Sequence, residues 1–196
     1  MKRLLYIILI VSLALISVYF SITLYKEVAE QSLADQYHKN EIYAQQAVIS
    51  IENFFDNFKN SLNFLSSKKE IVYFNEKSES FLKNYMEAYT DQLKAITRVS
   101  AEGKIIYTYP CVESVIGEDI SSQKHNAEII ESQSPVISDV FETVQGYSAI
   151  VYAYPVFKDG EYDGAISLVI PFNYIADKFL RSIKIGETGT SFLVSE

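Results

Sequence analysis

The side chains that could do chemistry are few in this chain, and their spacing suits neither catalysis nor metal binding. The two histidines, His38 and His125, lie far apart, and Cys111 is the single cysteine. Without a His-x-x-x-His or Cys-x-x-Cys pair, no metal site is predicted. The run Gly-Glu-Thr-Gly at residues 186–189 lacks the Lys-Ser/Thr ending of a phosphate-binding loop, and no nucleophile elbow occurs. We therefore predict no catalytic residues, no cofactor and no enzymatic activity.

Polar side chains on the predicted strands are better candidates, as contacts for a small ligand. Alternation along each strand puts Arg98 on one face of a first strand, Tyr107 on one face of a second, and Tyr152 on a later one. A guanidinium can bind a carboxylate through two parallel hydrogen bonds, so Arg98 could recognise an anionic or zwitterionic ligand. Two alternatives stay open: Arg98 forms an internal salt bridge or faces water, and the tyrosines are core or surface residues.

Three further candidates lie in a long polar segment, residues 117–139, which is expected to cover a pocket on the face bearing Arg98 and Tyr107. Within that segment, Gln123 and His125 lie in a short helix that Ser121 or Ser122 can cap. Asp139 lies in a strand, where aspartate is unfavourable. The histidine could instead face solvent or cap its helix. The predicted ligand-binding residues are Arg98, Tyr107, Gln123, His125, Asp139 and Tyr152.

The N-terminal segment has the length and composition of a membrane-spanning helix. Residues 4–25 form an uncharged, largely apolar run of roughly twenty residues, enough to cross about 30 Å of hydrocarbon. Lys2 and Arg3 precede it, which favours a cytoplasmic N-terminus and an extracytoplasmic remainder in a single-pass protein of the cell membrane. A cleaved signal peptide is the alternative, but the run is longer than a usual signal core and residues 28–30 make a poor cleavage site. A pilin-type N-terminus would need an acidic residue inside the run.

Net charge and cysteine content limit the classes of partner. The formal net charge is −8 and there is no basic cluster. Because phosphate neutralisation supplies most of the affinity for nucleic acid, no nucleic-acid partner is predicted. The single cysteine cannot form an internal disulfide, so it does not indicate a redox compartment.

Residues 26–67 are predicted to form a long helix, because they contain neither Pro nor Gly and their apolar side chains recur every three to five residues. A helix of about forty residues would be about 60 Å long, which is too long for one small domain to cover. From Phe54 onward the apolar stripe is expected to be domain core. From Val28 to Ile42 it is expected to form the seam of a parallel homodimer.

Turn chemistry and apolar patterns indicate the remaining elements. A second helix is expected to begin at Ser78 or Ser80, and a β-hairpin spans residues 95–109 with its turn at 101–103. After the covering helix, the expected elements are strands over 135–141, 147–157 and 165–172, a short helix capped by Asn173, and a final strand over 190–195.

This order of elements resembles the Cache domains, which are extracytoplasmic sensor domains of membrane receptors. EGKI (102–105) resembles the turn between the family's first two strands, and IGEDISSQKH (116–125) resembles its pocket-covering segment. Residues 153–172, AYPVFKDGEYDGAISLVIPF, resemble the last hairpin. The resemblance covers residues 45–196 and implies an α+β fold, in which a PAS-like antiparallel β-sheet packs on a long N-terminal helix preceded by one transmembrane helix.

Two departures from the Cache pattern bear on function. The amino-acid-binding branch has an Arg and two aromatic residues in the covering segment, where this chain has Gln123, His125 and Asn126, so capture of an α-carboxylate there is not implied. The Gly-Glu-Thr-Gly run resembles the start of a second domain in double Cache sensors, so we expect either a fragment of a longer receptor or a final strand within one sheet. The expected organisation is an anchor (1–25), a long helix (26–67), a Cache domain (68–183) and a final strand or start of a second module (184–196).

The leading functional hypothesis is the sensor portion of a bacterial or archaeal transmembrane receptor of the histidine kinase, chemoreceptor or cyclase type. It would bind a small polar or anionic extracellular molecule and pass a helix displacement inward. The alternative is a membrane-anchored structural or interaction protein whose Cache-like domain has lost its ligand site and serves assembly.

Overall fold

The computed structural model describes residues 2–143, 146–181 and 183. By its contacts the chain divides into two compact units, residues 1–46 and 47–196. Helix α1 (Lys2–Ser66) begins in the first unit and ends in the second. The strand predicted over 190–195, and with it the segment 184–196, lies outside the described residues.

The first unit consists of the N-terminal part of α1. By length and composition, α1 is the one candidate membrane span among the described residues, and none of its most apolar window is buried. Leu13, Phe20 and their apolar neighbours are exposed. A helix that is apolar around its whole circumference and unburied is typical of a segment that meets lipid. The predicted N-terminal helix with a candidate membrane span is therefore confirmed.

The second unit joins the end of α1 to a sheet through short helices. They are α2 (Lys69–Val72), α3 (Glu76–Ala88), a 3₁₀ turn (Glu113–Val115), α4 (Lys124–Ser132) and α5 (Phe172–Ile175), the last continuing as a π-helical segment (Ala176–Leu180).

Helix α3 begins one turn earlier than the predicted start at Ser78 or Ser80. The Asn75 side chain accepts a hydrogen bond from the Lys77 N–H at 3.0 Å, and the Ser78 hydroxyl accepts one from the Asn75 N–H at 2.7 Å. This is a capping box with Asn75 as its first residue. Ser78 is therefore the third residue of the helix, where its hydroxyl completes the capping box, and it is not the N-cap residue.

Antiparallel pairs join the strands of the second unit into one sheet, as predicted. Its order is β2-β1-β6-β5-β3, with β4 also paired to β5. The sheet and the long N-terminal helix confirm the predicted α+β fold. The strands are β1 (Ala95–Val99), β2 (Ile105–Tyr109), β3 (Val136–Ile137), β4 (Phe141–Glu142), β5 (Ser148–Lys158) and β6 (Glu161–Pro171).

Both faces of the sheet bury apolar side chains, because successive residues of a strand point to opposite sides. On one face, Ile96, Ile166 and Leu168 pack in the larger core with Phe54 and Phe58 of α1. The helix that carries the two phenylalanines therefore packs on the sheet, as predicted. On the other face lies a smaller cluster, formed by Ile129, Val136, Val151, Ala153 and Ala165.

The single strand predicted over 135–141 is instead two short strands, β3 and β4. Between them, the Ser138 hydroxyl accepts a hydrogen bond from the Val151 N–H at 2.8 Å and donates one to the Asp139 carbonyl at 2.8 Å. The Ser138 side chain thus accepts the hydrogen bond of a β5 N–H that a backbone carbonyl of a neighbouring strand would otherwise accept. The regular ladder stops there, and Asp139 is exposed at the break.

Candidate ligand-binding site

A cavity of about 770 Å³ lies on the sheet face opposite the one that packs against Phe54 and Phe58. Its floor comes from β1, β2, β5 and β6, and its cover from side chains between Val115 and Tyr147. The volume falls within the range typical of sites for small organic molecules.

The centre of the floor is polar. Thr97 of β1 is paired with Ser167 of β6 on one side and Thr108 of β2 on the other, and the two threonine hydroxyl oxygens lie 3.2 Å apart. Ser167 is only 5% exposed, and its Oγ has no hydrogen-bond partner among the described residues. A buried polar group without a partner costs about 1–3 kcal/mol. A bound molecule that hydrogen-bonds to this hydroxyl would recover that free energy.

Backbone hydrogen bonds attach the cover to the β1–β2 hairpin. The Ile105 N–H donates to the Glu118 carbonyl at 3.0 Å, and the Ile120 N–H donates to the Gly103 carbonyl at 2.9 Å. Gly103 has φ +85°, and a Cβ there would collide with Ser121. A glycine in the turn therefore lets the covering segment approach the hairpin.

Helix α4 brings three polar side chains to the cavity. The Asn126 Nδ2 donates to the Gln123 Oε1 at 3.3 Å and lies 3.3 Å from the His125 Nε2. Gln123 occupies the cap position without a side-chain capping bond. The expectation that Ser121 or Ser122 caps this helix is therefore wrong, and the first turn of the helix carries the polar cluster.

His125 is partly buried in the cover. Its ring stacks on Phe141, with the ring centroids 5.8 Å apart and the planes inclined by 28°. Burial lowers the pKa of His125, because the charged imidazolium loses solvation. At neutral pH the ring is therefore uncharged, so it can donate one hydrogen bond and accept one.

The cavity is lined in part by carboxylates. Glu118, Glu128, Asp139 and Glu142 line it and are exposed. The Lys124 Nζ donates to the Asp139 Oδ2 at 2.5 Å, and this bond raises the pKa of Lys124. Among the described residues no three His, Cys, Asp or Glu side chains converge as a metal-binding group.

The structure separates the six predicted site residues into two groups. Gln123, His125 and Asp139 line the cavity. Arg98, Tyr107 and Tyr152 do not line it; Tyr107 and Tyr152 belong to the larger core on the opposite face, where Arg98 also points. The expected pocket on the face bearing Arg98 and Tyr107 is thus replaced by a cavity on the other face, because α1, α2 and α3 cover the first one.

Arg98 makes the internal salt bridge that the sequence left open as an alternative. It is 0% exposed, and its Nη2 donates to the Asp163 Oδ2 at 2.6 Å. Further bonds run to the carbonyls of Asp163 at 3.1 Å, Ile71 at 3.5 Å and Val99. Burial lowers the pKa of Arg98, and the Asp163 carboxylate opposes that shift. The guanidinium joins β1, β6 and α2.

Sequence reasoning missed Thr97, Asn126 and Ser167. Ser167 carried a usable signal, since it is the single hydroxyl in an otherwise apolar stretch of β6. Thr97 follows from the same alternation that singled out Arg98, applied to the other face of β1. Asn126 also carried a signal, since the comparison with the Cache pattern puts it beside Gln123 and His125 at the positions of the Arg and the two aromatic residues; in the structure it is 2% exposed.

Residues 59–171 match the family model described as HK/GC/Chemotaxis protein-like, sensor domain. The matched segment is more than half of the chain. A search of curated proteins gives no significant match.

Solved structures share the fold at low identity. An extracellular ligand binding receptor from Desulfohalobium retbaense DSM5692 is 23% identical, with a TM-score of 0.62 over 69% of this chain and 25% of its own. The ligand-binding domain of the Campylobacter jejuni chemoreceptor Tlp3 in complex with L-norvaline is 17% identical, with a TM-score of 0.56 over 76% of this chain and 61% of its own. The ligand binding domain of the Pseudomonas aeruginosa PAO1 amino acid chemoreceptor PctC in complex with GABA is 14% identical, with a TM-score of 0.61 over 79% of this chain and 69% of its own. The chain spans a quarter of the first protein and less than two thirds of the second.

Proposed function

The chain belongs to the family of HK/GC/chemotaxis protein-like sensor domains, and from that premise we propose that it is the extracytoplasmic part of a transmembrane receptor that binds a small polar ligand in the cavity. Domains of this family bind ligands and are not catalytic. The resemblance to Cache sensors is confirmed at the level of family and fold.

The unpartnered Ser167 hydroxyl is the observation that carries this proposal. It lies at the floor of a covered cavity of about 770 Å³, in the middle of a sheet. Within the described part of the chain this polar group is buried and unsatisfied, and such a group in a native protein needs an explanation. A ligand that hydrogen-bonds to Ser167, with Thr97 beside it, supplies one.

The proposed ligand contacts come from the floor and the cover together. The floor provides the hydroxyls of Thr97 and Ser167. The cover provides the amide groups of Gln123 and Asn126 and the imidazole of His125, at the start of α4. Asp139 also lines the cavity. Arg98, Tyr107 and Tyr152 then act as structural residues of the opposite face.

Signal transmission is proposed to run through β6. Ser167 faces the cavity, while its neighbours Ile166 and Leu168 face the core that contains Phe54 and Phe58 of α1. A ligand that draws the cover onto the floor can therefore shift the contacts of β6 with this helix. It signals only if it prefers one of two conformations.

The membrane topology and the assembly belong to the same proposal. Lys2 and Arg3 before the apolar segment support a cytoplasmic N-terminus, with residues 26–196 extracytoplasmic. Val28, Leu33 and Tyr37 are more than half exposed on α1. A second copy that packs on this stripe would bury it, which supports a parallel homodimer.

Thermal denaturation of the full chain in detergent micelles, against a panel of amines, amino acids and organic acids, tests ligand binding. A genuine ligand at a hundred times its dissociation constant should stabilise the protein by about 2.7 kcal/mol. Ser167→Ala should leave the unliganded protein as stable or slightly more stable, since it removes an unsatisfied group, and weaken binding about threefold to tenfold. Ser80→Ala, at an exposed position of α3 outside the cavity, is the matched control.

Binding that is equally strong in Ser167→Ala and wild type would place the ligand elsewhere. If no compound in the panel stabilises the protein, the alternative function in assembly replaces ligand sensing.

A further inference from the structure

The charge of the cavity lining is strongly unbalanced. The described lining residues include four carboxylates but only one lysine, Lys124. The carboxylates are those of Glu118, Glu128, Asp139 and Glu142. His125 also lines the cavity, and its burial keeps it uncharged at neutral pH. The described lining therefore carries a formal charge of −3, from four carboxylates and one ammonium group.

The single cationic side chain of the lining is already engaged. The Lys124 Nζ lies 2.5 Å from the Asp139 carboxylate, and Glu128 also acts on it electrostatically. None of the ion pairs between described residues involves Glu118, Glu128 or Glu142. Arg98, the natural partner for a ligand carboxylate, is buried on the other face of the sheet with Asp163. An anion entering the cavity would meet carboxylates without a free cation among the described residues to bind it.

Two further features of the lining suit an organic cation. Its walls include the aromatic rings of Phe141 and Tyr147 and the apolar side chains of Val151 and Val169, which can pack on a hydrocarbon body. The unpartnered Ser167 Oγ can accept a hydrogen bond from an ammonium group.

A metal ion fits the lining less well than an organic cation. A divalent cation needs several carboxylates close together, and no three such ligands converge among the described residues. Dispersed carboxylates around a partly apolar cavity instead favour a ligand whose positive charge is carried on an organic frame.

We propose that the cavity selects small organic amines that carry no carboxylate. This inference rests on the proposed function, because it names the ligand class of the same site. It differs from the expectation of an anionic or zwitterionic ligand, and from the L-norvaline and GABA bound in the similar structures of Tlp3 and PctC.

Matched four-carbon compounds test the charge preference by calorimetry on the full chain in detergent micelles. They are butylamine, 1,4-diaminobutane, 4-aminobutyrate and butyrate, with tetramethylammonium as a cation without N–H donors. We expect at least one amine to bind ten times or more tightly than 4-aminobutyrate and butyrate. Its affinity should fall at high salt, because the lining carboxylates are exposed and screened.

Variants locate the source of the preference. Glu118→Gln, Glu128→Gln and Glu142→Gln combined should weaken amine binding about tenfold, since each exposed pair contributes modestly. Glu113→Gln, Glu131→Gln and Glu161→Gln combined change the net charge equally at exposed positions outside the cavity and should leave the affinity unchanged. The melting temperature of each variant shows that it is folded.

Three results would overturn the inference. If both triple variants bind the amine as tightly as the wild type, or lose affinity equally, the cavity carboxylates do not select it. If an acid or a zwitterion binds more tightly than every amine and Ser167→Ala weakens that binding, the ligand class is wrong while the proposed sensing function stands. If none of the compounds binds, amine selection fails; the proposed function fails with it only if the broader panel of amino acids and organic acids also gives no stabilisation.

Discussion

At the residue scale, the guanidinium of Arg98 is fully buried. An isolated charge in a protein interior is strongly unfavourable, so it must be paired and hydrogen-bonded. Arg98 meets this need with the carboxylate and carbonyl of Asp163 and the carbonyls of Ile71 and Val99. These partners come from three different segments, so the side chain holds α2, β1 and β6 together.

Asp163→Asn should lower the free energy of unfolding by about 2–3 kcal/mol, because it leaves the buried guanidinium without its counter-charge. The loss should be smaller than for a fully buried pair, since the Asp163 side chain is 37% exposed. Thermal denaturation measures it, with Glu161→Gln at an exposed position of the same strand as control. Arg98→Met in the Asp163→Asn background should recover part of the loss. If Asp163→Asn leaves stability unchanged but abolishes ligand binding, Arg98 belongs to the site and not to the framework.

The lowered pKa of His125 makes stability depend on pH. As the pH falls through about 6.5, the unfolded chain takes up the proton first, and the folded protein does so only at lower pH. Stability should therefore fall between about pH 6.5 and the lowered pKa, by at most about 1.4 kcal/mol per pH unit. Melting temperatures of wild type and His125→Gln between about pH 7.5 and 5 measure this. The two proteins differ only at position 125, so identical pH slopes would contradict the prediction.

At the element scale, two contacts decide how helices and strands fit. The C-terminal part of α1 buries Phe54, Phe58, Leu62 and Leu65 against the sheet. At the start of β6, Gly164 has φ +112°, and a Cβ there would collide with the Val99 carbonyl that Arg98 binds. Arg98 thus lies where β1 and β6 approach each other, and it also binds the carbonyl of Ile71, a residue of the larger core.

Phe58→Ala should cost about 3–5 kcal/mol, because the ring is 2% exposed and its removal leaves a cavity in the larger core. Phe64→Ala on the same helix is the control. That ring is 54% exposed, and the Lys68 ammonium lies 3.9 Å from its centroid, so its loss should cost about 1 kcal/mol or less. Equal costs for the two variants would mean that this part of α1 does not pack on the sheet.

Gly164→Ala should cost about 2–4 kcal/mol, from a strained backbone conformation together with the overlap at Val99. Gly160→Ala in the neighbouring turn has a similar φ of +90° but open space around the added Cβ. It should cost only the backbone part, about 1–2 kcal/mol. Denaturant unfolding of the two variants separates the cost of backbone strain from the cost of overlap with Val99. If Gly164→Ala is no less stable than Gly160→Ala, β1 and β6 do not approach each other so closely.

At the scale of the whole molecule, the proposed homodimer depends on the exposed stripe of α1 and on the proposed anchor. A short seam of apolar side chains is marginal as an isolated coiled coil, but confinement to one membrane raises the effective concentration of a second copy. The proposed homodimer should therefore form in membranes and dissociate in dilute detergent.

Leu33→Cys, in a Cys111→Ser background that removes the exposed native thiol, should crosslink efficiently in membranes. Asp35→Cys lies about 200° around the same helix and should crosslink poorly. Oxidative crosslinking followed by non-reducing electrophoresis gives the two yields. Equal yields, or no crosslinking by Leu33→Cys in a folded protein, would remove the dimer.

The sequence by itself determined the elements with strong local patterns. The apolar run of residues 4–25, the helical stripe that leads to Phe54, and the β-branched and aromatic residues of β5 and β6 on either side of a turn are all local patterns. They predict helices and strands without knowledge of distant contacts. The length and polarity of residues 117–139 predict a covering segment, and Gln123, His125 and Asp139 of that segment line a cavity on the sheet face opposite the predicted one.

Only the tertiary structure decided which face of the sheet forms the cavity. Alternation separates Thr97 from Arg98, but it cannot tell which of the two faces the helices cover, since that depends on where α1, α2 and α3 pack. The partner of Arg98 is 65 positions away in sequence, at Asp163, and no local pattern encodes that pairing. The unsatisfied hydroxyl of Ser167 exists only because the sheet buries it. The side of the sheet that is covered and the pairing of distant residues are properties of the packed molecule. Here they place Arg98 on the face opposite the cavity that is the proposed ligand site.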